Sequence, residues 1–449
     1  MKPLASILRI VAVGIALHPT HFSAICFADN IDSAFRAAKS KLVLDLRSSK
    51  AEVRSAAITR FKEFPTPDAA NTLLLQGSLS KFPDVRRGCF AALRSYANSE
   101  VVGKELLTDV LRDLKVEKIE AATAMRMIVL LSSDDPKVKE FAQQAFDQTE
   151  KSPAGVQLLV TIVDQLAEMG DSASARSLYH LSDLPLTTSH AGLKRALVQA
   201  LCKIDEPEAV AKLVQAVTTA EGETRADIER RLIQLSGLKA EDRPDWPGWW
   251  QEKQTTFVFP HGAKPEVGLF AKAVANIPSY YGLPLYGSKI VFVIDYSGSM
   301  RGAKLDAAKW ELQNAIAKLP DGVRFNVLAF NSVVIPWKRE LVQSSPESKQ
   351  EAVRFIIGGD AGAQTASYNA LEAALSQDCD AIYFLTDGAP RGSKIDDPQQ
   401  IVTMIGRRNR VRRATINVIG IGVGNEGNAF DVFLRELAAQ NFGAYRRLD

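Results

Sequence analysis

Asp295-Tyr296-Ser297-Gly298-Ser299 sets one carboxylate and two hydroxyls at alternate positions of a short segment. On a tight turn, oxygen donors spaced this way converge on one small hard cation such as Mg²⁺, Mn²⁺ or Ca²⁺. A second carboxylate stands in Leu385-Thr386-Asp387-Gly388, and Thr365 offers a third hydroxyl ahead of the helical stretch Tyr368–Leu375. The same serines make a poor nucleophile set. The chain has no G-x-S-x-G, Ser297 has no base near it in sequence, and His261 lies in a linker segment. A binding centre is expected here rather than a catalytic one, and the chain is expected not to be an enzyme.

Those residues need a frame that brings them to one edge. Lys289–Ile294, Arg324–Phe330, Asp380–Leu385 and Thr415–Ile421 are apolar runs suited to strands buried on both faces of a parallel sheet. Helical patterns alternate with them at about Lys304–Leu319, Tyr368–Leu375, Pro398–Asn409 and Phe430–Ala439. This alternation predicts a doubly wound, Rossmann-like α/β domain over 289–449, a fold that binds ligands at the carboxyl ends of its strands. Asp295 and Asp387 both fall at such ends.

Asp-x-Ser-x-Ser, a distant Thr and a distant Asp in this order resemble the metal-ion-dependent adhesion site of von Willebrand factor type A domains. The resemblance implies that Ser297 and Ser299 bind a divalent cation directly, that Thr365 does so directly or through water, and that Asp295 and Asp387 act mainly through water. Three neutral hydroxyls leave such an ion under-neutralised, so a carboxylate from a partner protein completes it by a charge-assisted contact. The sequence departs from the family at Gln364, where Gly is common, so the loop presenting Thr365 is expected to differ in shape.

Residues 30–240 carry few strand patterns and many helical ones. Val53-Arg54-Ser55-Ala56-Ala57-Ile58 returns as Val85-Arg86-Arg87-Gly88-Cys89-Phe90, an offset of about 32 residues that suits a helix-pair repeat. With Pro83-Asp84 opening the second copy, the pattern resembles HEAT repeats and implies a solenoid; an irregular helical domain is the alternative. Residues 241–288 form an aromatic and proline-rich joint. Trp246, Trp249 and Trp250 there suit either a cap on the solenoid or a carbohydrate platform.

Residues 1–28 read as an export signal, with Lys2 and Arg9, an apolar run Ile10–Leu17 and the small-x-small site Cys26-Phe27-Ala28. The rest has no apolar run long enough to cross a bilayer. A periplasmic, cell-surface or secreted protein is expected. Cys89, Cys202 and Cys379 sit in apolar patterns and read as buried thiols.

The 449 residues carry 55 Lys and Arg against 52 Asp and Glu, a balance that gives no reason to expect nucleic acid. The run Arg407–Arg413 reads as a helix end whose cations suit the negative pole of the dipole. Gly422-Val-Gly424-Asn-Glu-Gly427 matches G-x-G-x-x-G, but a dinucleotide site needs a βαβ unit closing on an acid, and none is expected before Asp449. Three functions follow. They are metal-dependent capture of a protein, a scaffold that binds through its solenoid without metal, and an enzyme subunit that uses the ion.

Overall fold

The computed structural model describes the backbone of residues 24–183, 190–238, 245–260 and 277–448. Most of the 1–28 signal reading lies outside the described residues, as does His261. Contacts divide the chain into two compact units, Met1–Ser189 and His190–Asp449.

The first unit is helical throughout its described residues. Its helices are α1 (Ala24–Leu46), α2 (Ala51–Phe61), α3 (Pro67–Leu79), α4 (Pro83–Arg94), α5 (Glu100–Lys115), α6 (Ala121–Leu131), α7 (Pro136–Lys151), α8 (Gly155–Met169) and α9 (Ser172–Ser182). Local chemistry starts them. Thr66, Ser99, Asp135 and Asp171 accept hydrogen bonds from first-turn amides, and Pro67, Pro83 and Pro136 occupy the first position, where a missing N–H costs nothing. The odd helices α1, α3, α5 and α7 pack in succession, and so do the even helices α2, α4, α6 and α8. Two such layers are the architecture of a helical solenoid, in which each pair buries its apolar stripe on its neighbours.

The repeat signature has a structural counterpart. Arg54 and Arg86 each donate to the carbonyl six residues upstream, Ser48 at 2.9 Å and Ser80 at 3.0 Å. Each also reaches across to another helix, Arg54 to Asp84 at 2.8 Å and Arg86 to Glu168 at 2.9 Å. The recurring arginine therefore fastens the loop before its own helix and ties that helix to a neighbour.

The second unit begins with α10 (Ala191–Leu201), α11 (Pro207–Val217), α12 (Gly222–Ser236) and α13 (Trp246–Lys253). Composition places α10–α12 with the repeats and a boundary near 240, whereas their contacts place them with the α/β domain. Gly192 shows why, because a Cβ there would overlap the Val411 carbonyl. Trp246 and Trp250 are buried and α13 packs on α11, so these rings close the helical stack rather than form an open platform.

A short hairpin, β1 (Ser279–Tyr280) and β2 (Leu283–Pro284), leads into the sheet. The sheet strands are β3 (Lys289–Asp295), β4 (Arg324–Phe330), β5 (Val334–Pro336), β6 (Val342–Gln343), β7 (Ala381–Thr386), β8 (Thr415–Ile421) and β9 (Tyr445–Leu448). Their order is β5-β4-β3-β7-β8-β9, with β6 also on β4. The pairs from β4 through β9 are parallel, and β5 and β6 pair antiparallel to β4.

Helices α14 (Ala303–Ala317) and α15 (Pro346–Gly358) cover the face carrying Ile290, Phe292, Ile294, Phe325 and Val327. Helices α16 (Ser367–Ser376), α17 (Pro398–Arg412) and α18 (Ala429–Gln440) cover the opposite face, which carries Val291, Val293, Ile382, Phe384, Ile416 and Val418. Alternate residues of each strand feed the two cores, which is why the strands read as unbroken apolar runs.

One sequence expectation is overturned. A βαβ unit does follow the glycine run, because β9 pairs parallel to β8 after α18. Tyr445-Arg-Arg-Leu448 is a half-polar edge strand and lacks the apolar run that marks the others. Amides at the start of α18 are already taken up by the chain's own side chains. Asn428 Oδ1 takes the amides of Phe430 and Asp431, and the Asp431 carboxylate takes that of Gly427. The Arg407–Arg413 run is also engaged. Arg408 pairs with Glu372 at 2.6 Å, Arg412 donates to the Gln377 carbonyl, and Arg413 donates to Gln199.

Candidate metal site

The β3 strand delivers Asp295 to the carboxyl edge of the sheet, and the chain then tightens into a 3₁₀ turn over Gly298–Met300. Asp295 is fully buried. Its Oδ1 accepts the Ser297 amide at 2.7 Å and its Oδ2 accepts the Thr386 hydroxyl at 2.6 Å. The first bond fixes the turn and the second ties β3 to β7. Sequence reasoning missed Thr386, although its place beside Asp387 at a strand end was the available signal.

The turn brings the Ser297 and Ser299 hydroxyls to 3.0 Å from one another, and Ser299 donates to Asp387 Oδ1 at 2.6 Å. Ser297, Ser299 and Asp387 therefore form one continuous chain of polar contacts, with Asp295 bonded to the Ser297 amide.

Thr365 arrives on a separate loop pinned at three places. Its backbone exchanges hydrogen bonds with Arg391 at 3.1 and 2.9 Å. The following Ala366 amide donates to the Asn331 carbonyl at the end of β4, and Gly362 donates to Tyr296 O. A Cβ built on Gly388 would meet Thr365 Oγ1 at 3.4 Å and Ser299 Oγ at 3.5 Å, so both hydroxyls border the same small space. Gln364 does not displace Thr365. Its side chain lies against Gly392, whose φ of +84° and missing Cβ make the room. All five sequence-chosen residues are thus placed at one edge.

Electrostatics set the character of this edge. Burial pushes the Asp295 carboxyl up to about 6, and the charge of Asp387 adds to that, while the bonds from Thr386 and Ser297 oppose it. The Asp387 side chain is likewise fully buried, with Lys304 Nζ 2.8 Å from its Oδ2. Lys304, on the first turn of α14, was not singled out from the sequence. Two buried acids with three hydroxyls, and the Lys304 ammonium at the rim, make a set of hard oxygen donors suited to a divalent cation. No group of three His, Cys, Asp or Glu able to hold a metal occurs among the described residues, so any ion here would depend on the hydroxyls.

This geometry sits within a segment with known relatives. Residues 288–447 match the family model described as von Willebrand factor type A domain. The α/β domain is a von Willebrand factor type A domain. Inter-alpha-trypsin inhibitor heavy chain H3 from Bos taurus is 29% identical over 180 residues, 37% of this chain and 20% of that protein. Inter alpha-trypsin inhibitor heavy chain 4 from Mus musculus is 30% identical over 185 residues, 37% of this chain and 18% of that protein. The aligned segment thus spans about a fifth of those curated relatives. Among solved structures, a von Willebrand factor type A protein from Catenulispora acidiphila is 22% identical, with 36% of this chain and 38% of that chain covered at a TM-score of 0.31. The type A domain here accounts for the sheet, its covering helices and the site edge.

Proposed function

We propose that the chain is an exported protein-binding module whose type A domain holds a divalent cation and uses it to capture a carboxylate of a partner protein. Ser297, Ser299 and Thr365 supply hydroxyl oxygens, and Asp295 and Asp387 supply charge. When bound, the ion provides a positive centre that an acidic side chain completes. The observation that carries the reading is the contact chain of Ser297, Ser299 and Asp387, with Asp295 beneath it, at the carboxyl edge of a doubly wound sheet. Export rests on the pattern of residues 1–28, and no described helix is long and apolar enough to cross a membrane. A binding role rather than catalysis is favoured by Ser297, whose hydroxyl faces Ser299 and not an imidazole.

Calorimetry of the full chain with Mg²⁺ and with Mn²⁺ tests this. Wild type binds one ion and Asp295→Ala binds none; unchanged affinity in that variant overturns the site. A pull-down from an envelope extract in Mg²⁺ against EDTA then separates metal-dependent capture from binding through the solenoid, which would survive the chelator.

A further inference from the structure

The acidic edge of the type A domain is guarded by a cation of its own. Lys304 Nζ lies 2.8 Å from Asp387 Oδ2, while Oδ1 of the same carboxyl accepts Ser299. The Asp387 side chain is fully buried and that of Lys304 is 43% exposed, so the ammonium spans the boundary between the site and solvent. The position is built on both sides. Lys304 follows Gly302, whose φ of +83° turns the chain from the Ser297–Met300 turn into α14 and sets Lys304 on its first turn. Across from it, Gly422, just past the end of β8, adopts a φ of +59° and lies against the ammonium. A Cβ there would come within 3.3 Å of Nζ and 3.5 Å of Cε. The first glycine of the run after β8 thus borders this lysine.

We propose that Lys304 is a tethered competitor that sets the affinity of the site for divalent cations, holding it weaker than the oxygen donors alone would give. This rests on the metal-dependent reading above. A divalent ion drawn to Asp387 meets a unit positive charge already paired to the same carboxyl, and it must displace or repel that charge. A like charge at this range, partly screened by solvent, accounts for about tenfold in affinity. Lys304 also keeps Asp387 neutralised, so the site stays formed without help from a divalent ion. The two effects oppose one another. The charge that stabilises the edge in chelator is the charge that weakens the ion.

The full-length protein is titrated with Mn²⁺ by calorimetry, and its melting temperature is read in EDTA and in saturating Mn²⁺. Wild type is compared with Lys304→Met, Lys304→Arg and Asp295→Ala. Lys304→Met, which keeps the length of the side chain, is expected to bind Mn²⁺ about tenfold tighter, to melt lower in EDTA and to recover in Mn²⁺. Lys304→Arg retains the charge and should bind within about twofold of wild type, and the gap between Met and wild type should narrow at high salt. Equal or weaker binding by Lys304→Met, with Asp295→Ala still silent, overturns the competitor role and leaves the metal site standing. Absence of binding in both wild type and Lys304→Met overturns the metal reading and the competitor with it.

Discussion

The two edges of the sheet in the type A domain solve the same electrostatic problem in opposite ways. At the carboxyl edge, Asp295 and Asp387 are buried with hydroxyls around them and one solvent-reaching lysine. At the amino edge, Asp380 is half-buried at the starts of β3 and β8, where it accepts the amides of Ser288 and Lys289 at 2.9 and 3.0 Å. Glu223, on the first turn of α12, lies close by. Burial pushes its carboxyl up to about 7, Arg195 opposes this, and the charges of Asp227 and Asp380 reinforce it.

The amino edge is closed by the protein's own cation. Arg195 from α10 is buried, ion-pairs with Asp227 at 2.8 Å and Glu223 at 3.6 Å, donates to Thr415 Oγ1 at 2.8 Å, and also donates to the Arg413 carbonyl. Its fork of donors is spent inside the fold. The comparison teaches that the two edges differ in where the cation sits, buried among the acids at one and reaching solvent at the other. One edge is sealed within the fold, and the other has its cation at a rim open to solvent.

Breaking the sealed edge should be the costliest change. Arg195→Met strips the cation from Glu223 and Asp227 while leaving both in the interior, and it is expected to destabilise the second unit by about 3–5 kcal/mol in chemical denaturation. Mn²⁺ binding by the fraction that stays folded should be unchanged. If the ion were lost with the fold intact, the two edges would not be independent.

The pH dependence comes next. The Glu223 carboxyl is held at about 7 in the folded protein against 4.5 for the ordinary group. The folded state therefore keeps a proton that the unfolded chain releases. The associated stability is full below pH about 4.5 and is lost as pH rises through about 7, amounting to roughly 3 kcal/mol. Asp380 and Asp295, also raised by burial, add to the same slope. Glu223→Gln should flatten only part of it, as seen in denaturation midpoints between pH 4.5 and 8. An unaltered slope would show that Glu223 is already charged at pH 5.

The smallest effect is expected in the helical repeats. Arg54 is buried, but its partner Asp84 is about two-fifths exposed, and Arg54 keeps the Ser48 and Ser49 carbonyls when that carboxylate is removed. Asp84→Asn should cost at most about 1 kcal/mol in the melting of the full chain. A loss as large as that from Arg195→Met would place the repeat arginine among the sealed charges.

Much of this was legible in the residues. Alternating apolar runs marked β3, β4, β7 and β8, because a strand buried on both faces has little room for polar side chains. Asp295, Ser297, Ser299, Thr365 and Asp387 could be chosen because strand ends and turns announce themselves by type and spacing. The edge strand β9 was not legible, since Tyr445-Arg-Arg-Leu448 owes its place to pairing with β8 and not to its own hydrophobicity. Neither was the grouping of α10–α12 with the sheet, for the helical pattern of Ala191–Leu201 resembles that of the repeats before it.

What the sequence determined by itself was local. It set which segments form helices, which run as buried strands and which oxygen donors stand at their ends, because propensity, period and capping act over a few residues. Only the tertiary structure decided which charges neutralise one another. Arg195 meets Thr415 across about 220 positions and Lys304 meets Asp387 across about 80, and no pattern of nearby residues encodes such pairings. The balance of buried charge, and with it the difference between the closed edge and the open one, is a property of the folded chain alone.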